Sequence, residues 1–259
     1  MALQKHPELQ TEPLISNRLA LKILAVLALM AAATFAISYG GARLGPHLSL
    51  GGHTDSLEKF DIHIGLDRLN LTANTIRFRE QRKSGPAERV DLYLAWPEMR
   101  GYAANLKSRF DDATGTDGLI FLQISQSTMS QDMSGRLEPI YSRLFEGAVE
   151  PGPYGLTIHR LKKDSGYGED VILTAPAGGD RPVYTVRCLM PRSQPGRPAI
   201  AATSSSSADC QRDIRAGQDL TVLYRFSSSL LPDWNLIDAA ISRFVQERVM
   251  TAQNGISAR

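Results

Sequence analysis

Residues 119–124 read Leu119-Ile120-Phe121-Leu122-Gln123-Ile124, with Gln123 the lone polar position. So short and nearly continuous an apolar run suits a central strand covered on both faces. Upstream, Val90, Leu92, Leu94 and Trp96 alternate with Asp91, Tyr93 and Ala95, the period of two that marks a half-buried strand, and Pro97 ends it. Further back, Phe60, Ile62 and Ile64 alternate with Asp61, His63 and Gly65. Leu69, Leu71, Ile76 and Phe78 continue the pattern with a change of phase, which predicts a bend or bulge. The stretch Gln81–Glu88 contains Lys83-Ser84-Gly85-Pro86 and reads as a loop, so its flanks suggest an antiparallel hairpin with one face on a core.

Downstream, a polar run from Ser125 to Ser130 leads into a predicted amphipathic helix. Met133, Leu137, Ile140, Tyr141, Leu144 and Phe145 fall on one helical face. Thr128 with Gln131 fits a capping box, Gly147 suits the carboxyl cap, and Pro139 predicts a kink or two short helices. Four strand-like runs follow, Tyr154–Leu161, Asp170–Ala175, Pro182–Met190 and Leu220–Phe226. Turn signals at residues 165–168 and 178–180 separate the first three. Between about 191 and 208, proline, glycine and a serine run give little to bury, so a mobile loop is expected. A second amphipathic helix starts near Pro232 and Asp233 and carries Trp234, Ile237, Ile241, Phe244, Val245 and Val249 on its apolar stripe. Residues 56–259 thus read as one α+β domain, a mostly antiparallel sheet with two amphipathic helices on one face.

Ahead of it, residues 23–41 run ILAVLALMAAATFAISYGG without a charge. As a helix this stretch would reach about 28 Å, close to the ~30 Å hydrocarbon core of a bilayer. Lys22 can snorkel to the interface and Tyr39 sits where an interfacial aromatic belongs. A cleaved signal peptide usually has a shorter apolar core, and a soluble helix would carry a polar face, so a single transmembrane helix is the preferred reading. Lys5, Arg18 and Lys22 precede the span and only Arg43 closely follows it, which places the amino terminus in the cytoplasm. The domain plan is then a cytoplasmic tail at 1–22, the span at 23–41, a Gly-rich linker at 42–55 and an exported domain at 56–259. Arg outnumbers Lys 22 to 7 with abundant Ala and Gly, a usage typical of GC-rich bacteria, so the expected location is the inner membrane with the domain in the periplasm. In that compartment Cys188 and Cys210 are expected to form a disulfide.

Composition excludes several classes. The net charge of +2 implies neither nucleic acid nor an acidic substrate. No G-x-S-x-G elbow, phosphate loop or metal-ligand spacing is present. Ser56-x-x-Lys59 and Lys83-Ser84-Gly85 match penicillin-binding-protein elements only formally, because too few residues separate them to hold the intervening domain. His47, His53, Asp55 and His63 crowd one stretch without convergent spacing, and His63 should face outward from its strand. His159, Asp111-Asp112, Glu138 and Asp213 read as ordinary polar positions. Arg77, Arg79 and Arg82, like Arg160, Lys162 and Lys163, read as solvated faces. No catalytic residue, cofactor or metal site is assigned. The expected function is non-enzymatic, a membrane-anchored envelope protein that contacts the lipid bilayer through 23–41 and binds another envelope protein. The alternatives are a periplasmic enzyme or glycan binder with a dispersed site, and an accessory subunit of an inner-membrane complex.

Overall fold

The computed structural model describes residues 17–49, 52–111, 118–176, 183–190 and 209–250. The chain divides into two units, Met1–Gly51 and Gly52–Arg259. In the first, α1 runs Asn17–Ser49 and so continues into the stretch read as a linker. Its apolar side chains Leu24, Leu27, Leu29, Met30 and Phe35 are exposed. Among the described residues, no helix is long and apolar enough to cross a membrane. The expected tail over residues 1–16 and the expected mobile loop at 191–208 lie outside the described residues.

The second unit begins with β1 (Lys59–Ile64) and β2 (Asp67–Thr72), an antiparallel hairpin; the two-residue strand β3 (Gly85–Pro86) runs parallel to β1. Then come β4 (Arg89–Ala95), α2 (Lys107–Asp111) and β5 (Leu119–Gln126). They are followed by β6 (Phe145–Pro151), β7 (Thr157–Leu161), β8 (Asp170–Ala175) and β9 (Tyr184–Leu189). The hairpin of β10 (Cys210–Ala216) and β11 (Leu220–Phe226) leads to α3 (Trp234–Gln246). Strands β4 to β11 form one sheet of eight, all neighbours antiparallel, in the order β4-β5-β11-β10-β9-β8-β7-β6.

Alternation decides what faces inward. Leu92 on β4, Leu122 on β5 and Val222 on β11 point to one side, where they meet Ile62 and Leu69 of the small sheet and Ile237 of α3. Each is almost fully buried, which removes their apolar surface from water and makes this the main core. Beyond α3, Val249 pairs with Leu69, so the residues just after the helix meet β2. Two hairpin turns clasp each other across the sheets. The Asp67 carboxylate accepts from the backbone N–H of Gln218 (2.9 Å) and Asp219 (3.0 Å), while Asp219 accepts from that of Leu66 (3.1 Å).

Several expectations need correction. The hairpin across residues 81–88 shrinks to one bridge, Ile76 to Leu92, because β4 pairs along its length with β5 instead. β5 is an interior strand, between β4 and β11, but only one face is fully covered: Phe121 and Gln123 are half-exposed. The amphipathic helix at 133–145 is absent. That stretch forms turns, ending in a short 3-10 turn at Tyr141–Leu144. Pro139 disfavours helical backbone at Glu138 and supplies no donor, and Gly135 weakens the turn before it. Its apolar residues are still used, since Met133 and Tyr141 pack with Leu161 and Ile172 on the outer side of the large sheet. The α+β class stands, with one amphipathic helix, α3, rather than two among the described residues of this unit. Strands β6 and β10 had no counterpart in the sequence reading. The expected disulfide is present: Cys188 and Cys210 are joined directly across β9 and β10.

Candidate functional site

The outer face of the large sheet is built from the residues that alternation turns away from the core. Register places them in rows across β11, β5 and β4. Arg225, Phe121 and Tyr93 form one row, and Leu223, Gln123 and Asp91 the next. Both ends of this face are covered. At the β4 side, Tyr93 is buried beneath His53, whose ring stacks on it at 5.3 Å and on Tyr102 at 5.1 Å, with the Phe110 edge against both tyrosines. At the β10 side, Asp213 is buried under Arg136, which binds it at 2.5 Å and comes from the turns that replace the expected helix. Between these flanks an open groove of ≈ 170 Å³ remains, lined by Arg77, Asp91, Phe121, Gln123, Leu223 and Arg225.

The groove has an apolar floor and cationic walls. The Arg77 guanidinium lies 5.0 Å from the Phe121 ring and 5.1 Å from the Phe78 ring, a double cation–π arrangement that holds it over the floor. Arg77 and Arg225 are exposed, and among the described residues neither guanidinium has a hydrogen bond or an ion pair. Asp91 is engaged elsewhere: it accepts from the Gln81 amide at 2.8 Å and pairs with Arg89 at 3.3 Å. The charge state of each flank follows from its surroundings. Burial pushes the Tyr93 hydroxyl up to about 12, so it remains a neutral partner 3.0 Å from His53 Nδ1. Burial lowers the His53 pKa, against the pull of Asp111, so its imidazole is neutral near pH 7. Arg136 is held charged: burial opposes the charge, but Asp213 and the Tyr141 hydroxyl outweigh it.

The structure redistributes the residues considered from sequence. His53, read as part of a linker, is instead the centre of the aromatic flank, and Asp111 lies 3.7 Å from its Nε2. His63 is exposed on β1. The His47 side chain and Asp112 lie outside the described residues. The Ser56 hydroxyl accepts from the backbone N–H of Glu58 in a local turn, the Ser84 hydroxyl accepts from that of Asp61 and ties its loop to β1, and Glu138 is exposed. His159 stacks on Phe145 at 4.4 Å and meets the Thr174 hydroxyl at 2.9 Å, and burial lowers its pKa. Of the first basic run, Arg82 donates to the Ile76 and Arg77 carbonyls, leaving Arg77 to the groove. In the second, Arg160 is paired with Glu150 at 2.7 Å and Lys162 donates to the Arg143 carbonyl. Phe121, Leu223 and Arg225 were missed as site residues. Their only signal in the sequence is alternation, and without register it cannot show that they are neighbours.

The fold and groove define a mostly antiparallel α+β domain with an open sheet face. No family model and no curated protein matches the chain. Among solved structures it is similar to Smlt3025, an immunity protein of the Stenotrophomonas maltophilia type IV secretion system. The identity is 19%, the TM-score 0.50, and the match covers 78% of this chain and 98% of that one. A second similar structure is the Neisseria meningitidis iron-regulated outer membrane lipoprotein FrpD, at 10% identity and a TM-score of 0.43, covering 76% of this chain and 96% of that one. The first likeness shows the fold.

Proposed function

We propose that the protein is a membrane-tethered component of the bacterial envelope whose carboxyl-terminal domain lies in the periplasm and binds another protein. The observation that carries this reading is the open face of β4, β5 and β11. It presents an aromatic ring, an aliphatic side chain and two arginines between covered flanks, and aromatic residues and arginine are enriched at protein interfaces. The similar fold of an immunity protein supports it, since immunity proteins include very tight protein–protein binders. The disulfide suits an oxidising compartment. The tether is the uncharged stretch 23–41, whose described apolar side chains are exposed along α1 and need an apolar medium.

The test is affinity capture of the full-length chain from detergent-solubilised membranes, repeated with Phe121→Ala. We expect one discrete envelope protein to co-purify with the native chain and to fall at least tenfold in recovery with the variant. Equal recovery by both would remove the sheet face from the reading. Turnover of an envelope substrate by the chain alone would replace it with the enzyme alternative.

A further inference from the structure

Resting on the reading of the sheet face as a protein-docking surface, we propose that its occupant is an acidic segment of the partner, one carboxylate of which pairs with Arg77 and Arg225 above the Phe121 ring. Charge complementarity carries this. Arg89, Arg136, Arg160, Arg187 and Arg212 each have a carboxylate partner within the fold. Arg77 and Arg225 have none among the described residues, although Asp91 lines the same groove; Gln81 and Arg89 hold that carboxylate. The two groove arginines therefore present guanidiniums that no carboxylate of the described residues pairs with in a salt bridge. Arginine is suited to the task, because its planar fork matches a carboxylate and is weakly hydrated.

The floor says what else the occupant carries. Phe121 and Leu223 are only half-buried and flank Gln123, so an apolar side chain next to the acidic one gains by covering them. Arg77 is already stacked on two rings, so little side-chain freedom is lost when the partner arrives. A free phosphate would use the arginines but leave the apolar floor bare, and a basic segment would be repelled by both walls. A peptide segment combining an acid with an apolar neighbour satisfies the whole lining.

The experiment places a photo-cross-linking amino acid at Gln123 in the full-length chain, expressed in its own envelope, and identifies the attached peptide by mass spectrometry. We expect a partner peptide containing Asp or Glu beside an apolar residue. The yield should drop at least tenfold with Arg225→Glu and stay unchanged with Arg79→Glu, an exposed arginine outside the groove. Thermal midpoints of the two variants establish that both fold. An attached peptide without acidic residues, a peptide of this same chain, or equal losses from both variants overturns the proposal. Cross-links from a probe at Val149 on β6 but none from Gln123 also overturn it while leaving the protein-binding reading intact. No protein adduct from either position overturns both.

Discussion

His53 shows how burial turns a polar residue into part of a wall. Its neighbours are Tyr93, Tyr102, Phe110 and Asp111, and Arg77, Arg82 and Lys107 lie close enough to disfavour a proton on it. Its folded pKa lies below the ordinary 6.5 because burial penalises the imidazolium. The unfolded chain therefore binds the extra proton first. Stability from this residue is fully present above 6.5 and is lost as pH falls through the folded value. His159 acts in the same direction, and Asp170, raised by burial, in the opposite one. We expect the urea midpoint to fall between about pH 7.5 and about pH 5. His53→Phe, which keeps the stacking, should flatten that fall. An identical pH profile in the variant would assign the dependence to other groups. A second residue, Arg212, is buried to 3% exposure and binds Asp238 at 2.9 Å and the Thr185 carbonyl at 2.8 Å. Tyr224 donates to the same carboxylate at 2.7 Å. Arg212→Met should cost about 3 kcal/mol, since it strands a carboxylate that is mostly withdrawn from water. Chemical denaturation measures this, and a loss below about 1 kcal/mol would mean that water replaces the guanidinium.

At the scale of elements, the two clasped turns fix how the small sheet meets the large one. Gly217 has φ +57°, and a methyl group there would run into the Asp67 carboxylate. Gly217→Ala should therefore cost about 1–2 kcal/mol through the left-handed backbone alone, with the disrupted clasp added to it, in equilibrium urea unfolding. The bond between β9 and β10 is the second constraint. Cys188 and Cys210 are separated by 22 in sequence, and closing that loop removes about 3 kcal/mol of unfolded-state entropy. Thiol labelling of protein unfolded without reductant should find no free thiol, and reduction should lower the denaturation midpoint accordingly. Two modified thiols per chain would refute the bond. The sequence located β1, β2, β4, β5, β7, β8, β9, β11 and α3 because each carries a local period of two or 3.6, or a short apolar run between turn signals. It failed at 133–145, where helical spacing was real but Gly135 and Pro139 made a helix costly. There tertiary packing on β7 and β8 used the same apolar residues in another backbone.

For the whole molecule, the proposed tether is the property most open to direct measurement. Leu29→Arg puts a charge within the uncharged stretch 23–41 and should cost membrane insertion about 2.5–3.5 kcal/mol on the translocon scale. We expect the variant to leave the membrane fraction, and the native chain to keep residues 23–41 when its mass is measured. Protease added after the outer membrane is permeabilised should digest the carboxyl-terminal domain. A mature terminus near residue 37–43 would mean that the stretch is cleaved, and full protection would reverse the topology.

What the sequence by itself determined was whatever rests on neighbours along the chain. The α+β class, most of the strands, α3 and the uncharged stretch are local patterns, and Cys188 with Cys210 were the sole candidates for a disulfide. The candidate site was not local. Arg77, Phe121 and Arg225 are spread over nearly 150 positions, and each by itself is an ordinary strand or loop residue. They meet because β11 inserts beside β5, setting Arg225 opposite Phe121, while Ile76 bridges to β4 and brings Arg77 over the same ring. Strand pairing between distant segments is fixed by how the inner faces bury together. Which residues share the outer face is a consequence of that burial, and only the tertiary structure could decide it.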